Sequence, residues 1–135
     1  MKTEECRIKV PGITFTRSLN GAAANAKVDD ERIVLASQAR RDNFRDPDGK
    51  LSNDSAPMLL TEVDNEQPFT LTARVTPALL GTYDAGALYI YVTADLWLKM
   101  AMEMASVRRP GWSRFAPSGP PTTTTTTSSR PRVSI

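Results

Sequence analysis

The chain has no histidine and a single cysteine among its 135 residues. Without histidine, histidine-containing catalytic triads, most zinc sites and the commonest general base are excluded. Cys6 cannot form a disulfide within the chain, and a lone cysteine is typical of a reducing compartment, so we predict a cytoplasmic location. We expect neither a metal ion nor any other cofactor.

Long hydrophobic runs are also missing. No apolar stretch approaches the roughly 20 residues needed to span a bilayer. The first ten residues, MKTEECRIKV, lack the apolar centre of a signal peptide. The seven glycines are isolated, so there is no glycine-rich loop that could bind phosphate. We therefore expect no membrane association and no nucleotide site.

Acidic residues are absent from the last thirty positions. Residues 1–105 contain 12 Lys and Arg against 15 Asp and Glu, whereas residues 106–135 contain five Arg and no acid. The second segment also has five prolines and six consecutive threonines, a composition that cannot bury enough apolar surface to offset its ordering entropy. We predict a folded domain over residues 1–105 and a disordered tail over residues 106–135. Because the basic excess lies in that tail, we expect no nucleic-acid partner.

Short alternating segments separated by turn residues fill residues 1–105. The spacing predicts strands over residues 7–10, 13–19, 32–36, 57–60, 69–76, 86–92 and 97–104. Turn signals such as Pro11-Gly12 and Asn20-Gly21 separate them. The polar stretch over residues 40–50 is predicted to be a loop. Seven short strands separated by turns in this way indicate an all-β fold, an antiparallel β-sandwich.

The alternation divides the best strands into two faces. We predict that Leu88, Ile90 and Val92 point into the sandwich, beside Phe69, Leu71 and Val75. The opposite face then carries aromatic rings among hydroxyl and charged groups, which is typical of a sugar-binding surface. An ordinary solvated face, or one covered by a loop or a partner subunit, explains the same pattern. The candidate ligand-binding residues on this face are Arg74, Tyr89, Tyr91, Trp97, Lys99 and Glu103, together with Thr70 and Thr72.

Catalytic chemistry has little support in the sequence. Glycoside hydrolases place two carboxylates on one face, but Glu103 has no acidic neighbour two residues away. Asp84 is interpreted as a turn residue. A metal site is conceivable in the acidic loop, although its spacing fits no EF-hand and a solvated loop is the preferred interpretation. We therefore predict no catalytic residue and no metal ligand; the acids considered for the metal site are Asp42, Asp46, Asp48 and Asp54.

Several spaced motifs resemble a known family. They are DNFRDPDG at residues 42–49, NDSAP at 53–57, FTLTARVTP at 69–77, YDAGALYIY at 83–91 and WLKMAME at 97–103. Together they resemble concanavalin A-like jelly-roll proteins that are often labelled as regulators of enolase. The resemblance covers most of residues 5–104. It implies a curved two-sheet sandwich without an established catalytic activity, and a fold does not determine a function.

The resemblance ends near Met104. The family continues with a Val-rich strand and a loop containing Ser-Asp-Asp, which this chain lacks. Moved back by one nucleotide, Thr codons (ACN) become NAC, which encodes Asp, Asn, His or Tyr, so a shifted frame accommodates that loop. We therefore expect that a frameshift produced residues 106–135 and that the β-sandwich is incomplete.

These patterns predict an uncharacterised concanavalin A-like module, here truncated, that is non-enzymatic and binds a carbohydrate or another protein. The alternative is a carbohydrate-active enzyme, similar to a glycoside hydrolase, whose full site needs the missing half. The sequence does not indicate an oligomeric state.

Overall fold

The computed structural model describes residues 3–104, 110–115 and 132–134. In these residues the regular structure is β-strand apart from one short 3-10 turn, Ala23–Asn25, which confirms the all-β prediction. No helix in this part of the chain is long and apolar enough to cross a membrane. The strands are β1 Thr3–Val10, β2 Ile13–Leu19, β3 Ala26–Asp29, β4 Arg32–Leu35, β5 Asn43–Arg45, β6 Ser52–Asp54, β7 Met58–Glu62, β8 Ala85–Thr93, β9 Leu96–Met104, β10 Pro110–Phe115 and β11 Arg132–Ser134.

One large sheet organises the fold. It has seven strands in the order β1-β2-β7-β11-β8-β9-β10, and each neighbouring pair is antiparallel. Two hairpins, β3–β4 and β5–β6, form separate two-stranded sheets. The β1–β2 hairpin turns at Pro11-Gly12, where Gly12 has a φ of 84°, a conformation that favours glycine. Among the described residues no second large sheet packs on the first, so the sandwich is incomplete.

The large sheet has a separate apolar cluster on each face. Met58 and Leu60 face one side with the rings of β8 and β9, and the strand alternation turns Leu59 to the other side. We call the first side the aromatic face; it contains Leu19, Met58, Leu60, Tyr89, Tyr91 and Trp97. The other side is the aliphatic face. It contains Phe15 and Leu59, which pack against β3–β4, and by register Gly86, Leu88, Ile90, Leu98 and Met100.

The predicted orientation of the two faces is wrong. Tyr89, Tyr91 and Trp97 are only 5–7% exposed, whereas Ile90, Leu98 and Met100, on the face predicted to be inside, are 38–43% exposed. The physical reason is that residues 40–57, of which residues 40–50 are predicted to be a loop, fold over the aromatic face and include β5 and β6. We call residues 40–57 the covering segment. Alternation separates two faces but does not say which one will be covered.

The strand predicted at residues 69–76 is not present as a strand. Its side chains still alternate, with Leu71, Ala73 and Val75 half-buried and their neighbours exposed. The segment lies over the aliphatic face, because a Cβ on Gly86 would meet Val75 Cγ1 at 2.3 Å. None of the described strands pairs with it.

Two strands lie inside the segment for which we predict disorder. β10 pairs with β9 at the sheet edge, and β11 lies between β7 and β8. At these nine residues the structure has strands where the composition predicts a disordered tail. The threonine run at residues 122–127 lies outside the described residues, so its predicted disorder stays a prediction.

Candidate functional site

Of the eight candidate ligand-binding residues, five share the aromatic face, whereas Thr70, Thr72 and Arg74 lie on segment 69–76. In the β8–β9 pair, Tyr91 lies opposite Trp97, Tyr89 opposite Lys99, and Glu103 opposite Ala85. Arg74 is not brought to them. It is exposed on segment 69–76, over the aliphatic face on the other side of the sheet.

The aromatic rings pack against each other in the core. The ring centres of Tyr89 and Trp97 are 6.1 Å apart, with the planes inclined at 60° in an edge-to-face arrangement. Burial, and secondarily the negative charge of Asp42, raises the pKa of the Tyr89 phenol far above its ordinary value. Tyr89 is therefore neutral at physiological pH.

Lys99 holds the covering segment on this face. Its Nζ donates to Asp42 Oδ1 and to the carbonyl oxygen of Asn43, both at 2.9 Å. The Lys99 side chain is 6% exposed and Asp42 is 48% exposed, so the cation is buried and its carboxylate partner reaches solvent. A buried ammonium requires such partners, because its desolvation is otherwise unfavourable by several kcal/mol, as an order-of-magnitude value.

Further contacts close the same segment. Asn43 is buried, and its Oδ1 accepts from the Ala56 N–H at 3.2 Å. Asn20 Nδ2 donates to the carbonyl oxygens of Asp54, at 2.9 Å, and Ala56, at 2.8 Å. At the outer edge Arg45 pairs with Asp95 at 2.6 Å, an exposed pair of small energetic value. The aromatic face is therefore closed, and its rings are not presented to a ligand in solution.

The carboxylates of the described residues do not gather into a metal-binding group. No group of three or more Cys, Asp or Glu side chains there could hold a metal ion. Glu103 is half-buried, and its cross-strand neighbours are Ala85 and Gly111. Asp84 Oδ2 accepts from the Leu80 N–H at 3.1 Å and the Gly81 N–H at 2.7 Å, which confirms that it is a turn residue.

The open surface of the domain lies on the aliphatic face. Ile90, Leu98 and Met100 are adjacent there by register, and the nearby Leu96 is 54% exposed. We call these four side chains the aliphatic ledge. Beside it, segment 69–76 crosses the sheet, and its first residues line an open groove of about 310 Å³ with residues 12–14 and 61–63. The alternation predicted the opposite orientation, with Ile90 and the rest of this face of β8 inside the sandwich, so the sequence did not reveal this surface.

Comparisons with known proteins give one result. No curated protein and no solved structure was found to match the chain. The family described as "Protein of unknown function (DUF1349)" matches residues 19–113, which is more than half of the chain. That family adopts a concanavalin A-like fold, in agreement with the expected sandwich. The chain therefore belongs to the DUF1349 family of proteins of unknown function.

Proposed function

We propose that this domain is a non-enzymatic binding module and that it binds another polypeptide. The observation that supports this proposal is the contrast in accessibility between the two faces. The rings that could stack on a sugar are 5–7% exposed beneath the covering segment, whereas the aliphatic ledge is 38–54% exposed. A contiguous exposed apolar patch is a recurrent feature of protein-binding surfaces.

The composition of the ledge favours a polypeptide over a carbohydrate. Sugars are bound by aromatic rings flanked by hydrogen-bonding groups, and the ledge side chains are aliphatic. Isoleucine, leucine and methionine instead gain from excluding water against a partner's apolar side chains. Nothing among the described residues points to enolase as that partner.

The carbohydrate-binding alternative requires the aromatic face to open. Tyr89, Tyr91 and Trp97 would reach a sugar only if the covering segment left the sheet, which breaks the two hydrogen bonds of Lys99. The glycoside hydrolase alternative further requires a second carboxylate near Glu103. The observation that favours the glycoside hydrolase alternative is the half-buried side chain of Glu103 on the aromatic face.

A display selection tests the proposal. A library of random twelve-residue peptides is selected on the full chain, and the enriched peptides are measured against Leu98→Glu. We expect peptides that bind the wild-type chain and lose most of their affinity for Leu98→Glu. The matched control is Val34→Glu, because Val34 is also an exposed apolar strand residue, 54% exposed, but lies in β4 away from the ledge.

A carbohydrate titration tests the alternative on the same protein. Because the chain also contains Trp112, the fluorescence of a Trp112→Phe variant, in which Trp97 is the sole tryptophan, is followed while a panel of oligosaccharides is added. No change is expected. A saturable change with any oligosaccharide, combined with a failure to select peptides, would replace polypeptide binding with carbohydrate binding.

A further inference from the structure

The backbone of segment 69–76 has no hydrogen-bonding partner among the described residues. None of its N–H or C=O groups makes a hydrogen bond with another described residue. Sequence pattern and structure disagree here, because the alternation of Leu71, Ala73 and Val75 with polar neighbours is the clearest strand pattern in the chain. A segment of strand-like sequence whose backbone pairs with no described residue is a template for the addition of another strand.

Two prolines define the length of this template. Pro68 and Pro77 flank the segment, and neither has an N–H to donate. Between them lie eight residues rich in Thr, Val and aromatic or branched side chains, the types that favour strands. Eight residues is the length of an ordinary strand and of the extended peptides that bind by strand addition.

The aliphatic ledge lies where an added strand would cover it. Val75 lies over Gly86, and the ledge residues Ile90 and Leu98 are on that same face of β8 and β9. A strand placed beside segment 69–76, in the same layer, faces the ledge with every second side chain. Those side chains must be apolar, and the others point to solvent.

The positive charge of Arg74 indicates which charge the partner strand should have. Arg74 is exposed on the outer side of the segment and forms no ion pair with a described residue. No acidic residue occurs between positions 67 and 83. A carboxylate on the outward side of the added strand, opposite Arg74, complements this charge.

We infer that the polypeptide partner adds as a β-strand beside residues 69–76, with alternate apolar residues on the aliphatic ledge and a carboxylate opposite Arg74. This inference rests on the proposed polypeptide-binding function and specifies its geometry. Strand addition differs from any other apolar contact in one respect: it uses the backbone N–H groups of every second residue only. Alternate residues of a strand direct their N–H groups to opposite edges, and only one edge receives the partner.

The test uses a defined probe and two proline variants. The probe is a labelled ten-residue peptide in which valine alternates with threonine and one central threonine is replaced by glutamate. Ala73→Pro and Thr72→Pro remove neighbouring N–H groups that donate to no described residue, so neither is expected to unfold the chain. We expect one of the two variants to bind about tenfold more weakly and the other to bind as the wild type does.

Amide hydrogen exchange provides a second measurement on the wild-type chain. On addition of the peptide, alternate amides between residues 70 and 76 are expected to become protected, with the intervening amides unchanged. Arg74→Glu is expected to weaken binding about threefold, and a peptide with lysine in place of glutamate is expected to restore it. A peptide of the same composition with its valines consecutive is the control and is expected not to bind.

The outcomes separate the inference from the proposed function. Equal binding by both proline variants, or protection away from residues 70–76, overturns strand addition but leaves polypeptide binding standing. No binding of the alternating peptide to the wild-type chain also overturns strand addition, and the peptide selection then decides polypeptide binding independently.

Discussion

The two faces of β8 and β9 are formed by the same eighteen residues, but one face is buried and the other is exposed to solvent. Trp97 and Lys99 are buried beneath the covering segment, while Leu98 and Met100, the residues that alternate with them, are 43% and 42% exposed. Hydrophobicity alone would bury leucine and methionine and expose lysine. The difference teaches that burial here follows from which face a neighbouring segment can hold by hydrogen bonds, more than from the polarity of each side chain.

The largest expected difference is in stability, between substitutions of two adjacent residues that lie on opposite faces of β9. Trp97→Ala is expected to lower the free energy of unfolding by about 3–5 kcal/mol, because it leaves a cavity among Tyr89 and Leu60. Leu98→Ala should cost less than about 1 kcal/mol, since Leu98 is already 43% exposed. Urea denaturation of both variants measures the difference. Equal losses would mean that the aliphatic face is covered in solution.

The buried ion pair should show a smaller effect. Lys99→Met removes the two donors that hold Asp42 and Asn43, and we expect a loss of about 2 kcal/mol, discounted because Asp42 is 48% exposed. Met100→Lys, its neighbour on the other face, should change stability by less than about 0.5 kcal/mol. Hydrogen exchange adds a sharper measurement, since only Lys99→Met should expose the amides of the covering segment. A stable Lys99→Met with an unchanged covering segment would contradict the role of Lys99.

Two glycines paired with β9, Gly86 and Gly111, test whether segment 69–76 packs on the aliphatic face. Gly86→Ala places a Cβ 2.3 Å from Val75 Cγ1, so the segment must shift, at a cost of about 1 kcal/mol. Gly111→Ala is the control, because its Cβ would meet nothing within 4 Å. Limited proteolysis should cut residues 69–80 faster in Gly86→Ala alone. Identical digestion of both variants would show that Val75 does not pack on Gly86 in solution.

An effect of similar size, confined to alkaline pH, is expected on the aromatic face. Because burial raises the pKa of Tyr89 above its unfolded value of about 10, the folded state keeps a proton that the unfolded state loses. Stability from this group is complete below pH 10 and falls as pH rises above it, by about 1 kcal/mol at pH 11. Tyr89→Phe should remove that part of the slope in denaturation measured from pH 9 to 11. An unchanged slope would show that Tyr89 ionises freely in the folded protein.

Much of the strand pattern could be predicted from the sequence. The predicted strands at residues 13–19, 86–92 and 97–104 match β2, β8 and β9 closely, because each combines alternation with turn residues at its ends. The set of side chains that share a face with Trp97 was also predictable, since the period of two is local. β5 and β6 were missed, because each is only three residues long and a period of two cannot be recognised over three residues.

The candidate site could be predicted only in part. The five residues that do share a face are Tyr89, Tyr91, Trp97, Lys99 and Glu103. Their face was predicted to be open, but the covering segment buries Tyr89, Tyr91 and Trp97. The closure depends on Lys99 reaching Asp42, a residue 57 positions away, and no local pattern contains that contact. The predicted strand over residues 69–76 is absent for a related reason. A strand forms only when a second strand pairs with it, and the sequence of one segment does not reveal that partner.

The sequence by itself determined the period-two alternation, the turns that separate the strands and the residues that face the same way along each strand, because these depend on neighbours within a few positions. The tertiary structure alone decided which face is closed and which segment lacks a partner. Both outcomes depend on contacts between residues far apart in the chain, such as Lys99 with Asp42 and Val75 with Gly86. The free energy of those contacts exists only once the segments have been brought together.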